Sequence, residues 1–337
     1  MLWLAILLSL VPVVAFLFAL RALDTYKLLA LGRILTAVAA GIGAALIALP
    51  LNTLLYRLAG GAALYWAGPI IEELLKAVFP LWCIRSHRVG FPVDAGIIGF
   101  ATGTGFSLVE NIVYLHSIQD GTPILWLVRG LGTAVMHGAT TAIVAMIAII
   151  AVTGADRQIR TVPRVALATA GGLLIAVAVH LFHNSSLLPP IQMTAAILMA
   201  APALLAFVFW RSELTLARWL STKLDRDIEV IRMIDSGAFL ESKAGRYLQS
   251  LAESFPPTVV GDMLCLIRLS AGLSAQAKGD LLRQELGFEA ERDPDLEAKL
   301  KEMAFLERSV GRAGRMALAP LAPRRVRDLW EMHRLAQ

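Results

Sequence analysis

Two adjacent carboxylates followed by a lysine, Glu72-Glu73-Leu-Leu-Lys76, are the first residues of the chain whose types and spacing could do chemistry. Three further groups follow: Phe106-Ser-Leu-Val-Glu110-Asn111, His137-Gly-Ala-Thr-Thr141 and His180-Leu-Phe-His183-Asn184. A carboxylate can take a proton from water, an imidazole can give one to a leaving amine, and Asn184, Asn111 or a histidine N–H could stabilise an oxyanion. Carboxylates and imidazoles are equally ordinary zinc ligands, and a catalytic zinc site uses three of them plus water. Glu73, Glu110, His137 and His180 are the candidate ligands in that case. Spacing does not choose between the two. Zn2+ would be the cofactor of the metal route, and the glutamate–water route needs none.

At 3.6 residues per turn, Glu72 and Lys76 share a helix face, and Glu73 lies beside Lys76 at i+3. One carboxylate can therefore pair with Lys76 while the other stays available. Phe106 and Glu110, His137 and Thr141, and His180 and Asn184 are each one turn apart. His183 lies about 60° off the His180–Asn184 line and reads as a rim residue. The plainer alternatives are a buried ion pair between the acidic pair and Lys76, and core histidines with satisfied ring nitrogens. Arg129, two turns before His137, reads as the partner of a carboxylate or a lipid phosphate. Pro69 removes an amide donor and is expected to open the helix at the carbonyl of Tyr65. His87, His116 and His333 read as solvated.

The elements that must position these groups are membrane helices. Of 337 residues, 57% are apolar and 17% charged, with mean hydropathy +0.66. Soluble domains run near 45–50% and about 25%, so a soluble enzyme and a nucleic-acid-binding protein are poor fits. Residues 1–210 hold 11 Lys/Arg and 7 Asp/Glu, against 20 and 19 in residues 211–337. This contrast divides the chain into a membrane domain, 1–210, and a polar, helical cytoplasmic domain, 211–337. Seven stretches of roughly 20 apolar residues can be cut from the first part: 2–20, 28–50, 62–84, 95–117, 124–152, 164–187 and 190–210. The expected fold is all-α, a polytopic bundle of about seven transmembrane helices with a C-terminal helical domain.

Loop charges give these spans a direction. The loops after spans one, three and five carry Arg21 and Lys27, Arg85 and Arg88, and Arg157, Arg160 and Arg164; the alternate loops carry Arg57. The positive-inside rule then places the N-terminus outside and the tail in the cytoplasm. Measured from the outer helix ends at 1.5 Å per residue, Glu72 and Glu73 lie about 15 Å deep, Glu110 and His180 about 10 Å and His137 about 20 Å. Ionisable groups at membrane depth are functional candidates by default, and these can share one layer. Gly96, Gly99, Gly103 and Gly105 form a small-residue strip on span four where another helix can approach, and lateral access of a substrate helix is expected beside it. In the tail, helices broken at Pro256-Pro257, Gly287, Pro294 and Pro320 are expected, with Arg324, Arg325 and Arg327 at a solvated helix end. Two cysteines, Cys83 and Cys265, offer no disulfide framework.

In this order on four consecutive spans, Glu72-Glu73-x-x-Lys76, Phe106-x-x-x-Glu110-Asn111, His137-x-x-x-Thr141 and His180-x-x-x-Asn184 resemble the PrsW family of bacterial intramembrane proteases, over roughly residues 60–190. The wider group of CAAX prenyl proteases and Abi proteins shows a similar Glu-Glu pair, Phe-x-x-x-His and His-x-x-x-Asn. The resemblance implies cleavage of a peptide bond in or near the membrane segment of a single-pass protein, as in site-one cleavage of an anti-sigma factor. It implies Glu72 and Glu73 as catalytic, completed by Glu110, His137 and His180, with Lys76, Phe106, Asn111, Thr141, His183 and Asn184 supporting. It also implies the bacterial inner membrane, with the lipid bilayer and a membrane-protein substrate as partners. The family has been described both as metalloproteases and as glutamate-type enzymes. A non-catalytic scaffold that binds a partner helix, similar to the Aph-type subunit of gamma-secretase, is the rival reading, and a transporter is the third.

Overall fold

A computed structural model describes residues 2–24, 26, 29–118, 120–154, 162–185, 187–288, 293–321 and 326–335. Lys27, Arg157, Arg160, Arg324 and Arg325 lie outside the described residues, as do the side chains of Arg164 and His333. Among the described residues every regular element is a helix, with no strand. It forms two compact units, Met1–Glu213 and Leu214–Gln337.

The first unit is built from α1 (Leu2–Ala22), α2 (Leu31–Arg85), α3 (Pro92–Ser117), α4 (Pro123–Leu127), a π-helical turn (Val128–Thr133), α5 (Ala134–Gly154), α6 (Val162–Asn184) and the start of α7 (Pro190–Asp235). Helix is the dictated form, because hydrocarbon offers no partner for an unpaired backbone N–H or C=O. The outer surface is apolar: Leu35, Leu46, Leu167, Leu174 and Phe207 are exposed. An apolar exterior of this extent marks a lipid-facing surface. Among the described residues seven helices are long and apolar enough to cross a membrane, and the protein is a multi-pass membrane protein.

The seven do not coincide one for one with the stretches cut from the sequence. Spans 28–50 and 62–84 are both in α2, whose 55 residues would measure about 80 Å if straight, far more than a bilayer's hydrocarbon core of about 30 Å. The chain folds back instead. Asn52 Nδ2 donates to Glu72 Oε1 at 2.8 Å although the two are 20 residues apart, a separation of about 30 Å along an unbroken helix. The break is Gly60, at φ 78° and ψ −178°, a backbone region essentially confined to glycine. The helix therefore opens at Gly60 and not at Pro69, where the backbone stays helical. Proline costs one hydrogen bond but keeps a helical φ, whereas Gly60 leaves helical space altogether.

Helix α3 is central. Its start is capped by Asp94, whose carboxylate accepts from the backbone N–H of Gly90 (2.9 Å) and Phe91 (2.8 Å). Its glycine strip is occupied: a Cβ on Gly103 would fall 2.2 Å from the His137 carbonyl oxygen of α5, and one on Gly105 2.0 Å from the Val38 carbonyl oxygen of α2. The strip seats α2 and α5 against α3, so the glycines themselves are covered by the chain's own helices.

The second unit contains the rest of α7, α8 (Lys243–Ser250), α9 (Pro257–Glu285), α10 (Leu296–Leu318) and α11 (Val326–Leu335). Phe239, Leu248, Met263, Leu266, Ile267, Leu306 and Val310 form its core. Helix α9, placed with the tail in the sequence reading, is itself long and apolar enough to be counted among the seven. Its charged groups are tied within this unit. Lys278 pairs with Asp227 (2.8 Å) and Glu331 (2.7 Å), and Arg268 pairs with Asp235 (2.7 Å).

Candidate active site

The fold-back at Gly60 brings the second arm of α2 against α3, α5 and α6, and the four polar motifs meet around one cavity of about 650 Å³. Glu72, Glu110, His137 and His180 line it, with His183 and Asn184 at its edge. Glu73, Lys76, Asn111 and Thr141 are not among the lining residues.

Behind the cavity wall runs a buried polar chain. Glu73 and Lys76 are both fully buried, with Lys76 Nζ donating to Glu73 Oε1 at 2.6 Å. The same carboxylate oxygen accepts from Thr140 Oγ1 (3.3 Å) and from His180 Nδ1 (2.8 Å). A carboxylate on Nδ1 fixes the tautomer of His180 and turns its Nε2 lone pair forward. That Nε2 faces Glu72 Oε2 at 3.7 Å, while Glu72 Oε1 is held by Asn52 Nδ2. The two neighbouring glutamates therefore stand in opposite situations: Glu73 is sealed and paired, and Glu72 is half-buried and open to the cavity.

His137 is engaged at both ring nitrogens. Lys76 Nζ, an ammonium with only hydrogens to offer, lies 2.8 Å from Nδ1. Nδ1 is therefore the acceptor, and Nε2 carries the ring proton toward Glu110 Oε2 at 2.9 Å. Phe106, buried, covers this pair with its ring 5.2 Å from that of His137 and 5.1 Å from Lys76 Nζ. Glu110 Oε2 also faces Arg129 Nη2 at 3.4 Å, which agrees with Arg129 as the partner of a carboxylate.

Other expected members sit elsewhere. Asn111 is fully buried and spans two helices, donating to the Ser9 carbonyl (2.8 Å) and accepting from Arg129 Nε (2.9 Å). Thr141 shares a face with His137 but donates to the His137 carbonyl (2.9 Å), whereas the Thr140 hydroxyl lies between that carbonyl (3.1 Å) and Glu73 Oε1 (3.3 Å) and shares its one hydrogen between them. Asn184 is exposed and contacts His183 Nδ1 at 3.3 Å. His116 is exposed and His87 half-buried. Sequence reasoning missed Asn52 and Thr140. Asn52 is a polar residue inside an apolar stretch, a signal that was there to be read.

A membrane helix bundle with carboxylates and imidazoles converging on a cavity of about 650 Å³ carries the groups that an intramembrane hydrolase needs. The chain belongs to the PrsW family: a family model described as PrsW family intramembrane metalloprotease matches residues 25–211. It is accordingly an intramembrane protease. No curated protein and no solved structure matches the chain.

The family description implies a metal, and the residues can be tested for one. Among the described residues, Glu72, His137 and His180 each bring one ligand atom to within 4.8 Å of the others. Glu72 Oε2 and His180 Nε2 have lone pairs to offer. His137 does not, because Lys76 occupies Nδ1 and Nε2 carries a proton held by Glu110. The arrangement is one ligand short of the three that a catalytic zinc uses, and does not fit the metal as it stands.

Proposed function

We propose that the protein hydrolyses a peptide bond within or beside the membrane segment of a single-pass membrane protein, with Glu72 as the general base on the attacking water. The observation that carries this reading is the asymmetry of the acidic pair: Glu72 opens to the cavity with Oε2 facing His180 Nε2 at 3.7 Å, while Glu73 is locked to Lys76. A gap of 3.7 Å is too long for a hydrogen bond and leaves the two groups converging on one reactant. Glu72 takes a proton from water as its oxygen attacks the carbonyl carbon. The C–N bond then breaks, and the proton passes to the leaving amine, with His180 aligned by Glu73 at the same point. Lys76 neutralises Glu73 and fixes the ring of His137.

The membrane is the bacterial inner membrane, with the N-terminus outside and residues 211–337 cytoplasmic. A single-pass anti-sigma factor is the substrate type this reading favours. The test is to offer purified protein in proteoliposomes a panel of membrane-tethered reporters and to map the products by mass spectrometry. Scission within or next to the membrane segment is expected. Scission confined to soluble loops contradicts the reading.

A further inference from the structure

An enzyme that adds water to a carbonyl needs a donor for the oxygen that becomes negative, and the candidates named from sequence do not supply one inside the cavity. Asn111 is committed to Ser9 and Arg129, and Asn184 is exposed at the edge. His180 Nδ1–H and His137 Nε2–H each point to a carboxylate oxygen, and one of the two N–H groups of Asn52 Nδ2 is given to Glu72.

Arg129 is placed differently. It lines the cavity and is only 8% exposed. Its Nε donates to Asn111 Oδ1 at 2.9 Å, and its Cζ lies 3.5 Å from the centre of the Tyr114 ring. Hydrogen bond and ring together fix the plane of the guanidinium. Nη2 approaches Glu110 Oε2 at 3.4 Å but is not aligned to bond to it, and it is buried without a hydrogen-bond partner. A buried N–H left unmade is costly, and here the neighbouring structure maintains it. Arg129 sits on the π-helical turn Val128–Thr133, a feature frequent at functional sites. On that turn Gly130 allows contact with α1, since a Cβ there would fall 2.0 Å from the Leu8 carbonyl oxygen. Glu110 Oε2 touches both Arg129 Nη2 and His137 Nε2, so the guanidinium stands at the same end of the cavity as the histidine.

We propose that Arg129 is a catalytic residue of the proteolytic site, donating a guanidinium N–H to the carbonyl oxygen of the scissile bond and to the oxyanion formed there, with Nη1 as the donor on the cavity side and Nη2 held beside Glu110. This rests on the protease reading above. As the water oxygen bonds to the carbonyl carbon and its proton goes to Glu72, the carbonyl pair moves onto that oxygen, where a fixed guanidinium is worth most. When the C–N bond breaks, the pair returns and the proton leaves with the amine.

The test does not require the natural substrate. Acetyl-Leu-Leu-Leu trifluoromethyl ketone hydrates to a geminal diol that can present an oxyanion, whereas the corresponding secondary alcohol, tetrahedral at the same carbon, carries a single, less acidic hydroxyl. Titrating each against the purified full chain in detergent, read by thermal shift, gives a ketone-to-alcohol affinity ratio. The wild type is expected to favour the ketone at least about tenfold, R129M to bring the ratio near one, and R129K to retain part of it. Because the ratio is taken within one variant, a smaller folded fraction does not imitate the effect. A wild-type ratio that persists in R129M, or a wild type with no preference, overturns the proposal. Failure of every reporter to be cleaved counts against the protease reading instead, and leaves this ratio readable.

Discussion

Glu73 Oε1 accepts a hydrogen bond from His180 Nδ1 at 2.8 Å, and this contact decides which ring nitrogen faces the cavity. It also separates the tasks of two adjacent glutamates. Glu73 aligns an imidazole from behind, as carboxylates do for histidines in many hydrolytic sites. Glu72 is left to meet the reactants.

Glu73→Gln should therefore destabilise the protein. It leaves the Lys76 ammonium fully buried without its counter-charge, and breaking a buried pair from one side costs about 3–5 kcal/mol. Adding Lys76→Met should recover much of the loss. Thermal midpoints in detergent measure both, and a Glu73→Gln protein as stable as wild type would show that the pair does not hold the bundle.

Chelation should leave turnover unchanged. With His137 engaged at both ring nitrogens, 1,10-phenanthroline is expected to change the rate of reporter cleavage by less than about twofold. Loss of cleavage restored by added zinc would mean that the Lys76–His137 contact rearranges to release a ligand.

Gly60→Ala should loosen the α2 hairpin. A Cβ at Gly60 meets nothing within 4 Å, so the substitution tests the backbone alone. Holding a non-glycine residue at φ 78° and ψ −178° costs about 1–3 kcal/mol. A lowered thermal midpoint is expected, together with slower cleavage as Asn52 loses its hold on Glu72; an unchanged protein would place the fold-back elsewhere.

The second unit should lose stability as pH rises. Burial pushes the Glu331 carboxyl up to about 7, outweighing the Lys278 ammonium beside it, whose charge Asp227 already shares. A raised carboxyl binds a proton in the folded state that the unfolded chain has released, so its contribution is full below about 4.5 and is lost as pH passes about 7. Hydrogen exchange of α9 and α11 in the full chain should accelerate from pH 5 to pH 8 beyond the intrinsic rate, and Glu331→Gln should flatten the trend. Equal slopes in both proteins would refute it.

Much of this was legible in the sequence because membrane helices are read from local composition, and polar residues inside them stand out. The i, i+3 relation of Glu73 and Lys76 is likewise local, and it survives as a 2.6 Å ion pair. What escaped is what depends on chain reversal and on rotation within a turn. Asn52 meets Glu72 only once Gly60 folds the chain back. Thr141 shares a face with His137 by helical arithmetic, yet its hydroxyl turns to the backbone, and Thr140 shares its hydrogen between that carbonyl and Glu73. Arg129 reads from the sequence as the partner of a carboxylate and does face Glu110, but its place on a π-helical turn is not legible there.

The most direct test of Glu72 as the base is the cleavage rate of a membrane-tethered reporter by wild type and Glu72→Gln in proteoliposomes, with a melting curve of each. Glu72 is half-buried and unpaired by any ammonium at hydrogen-bond distance, so its amide should keep the fold and still accept from Asn52. The expected result is an unchanged melting curve with cleavage reduced about 10²- to 10⁴-fold. A folded Glu72→Gln protein that cleaves at the wild-type rate would contradict the assignment.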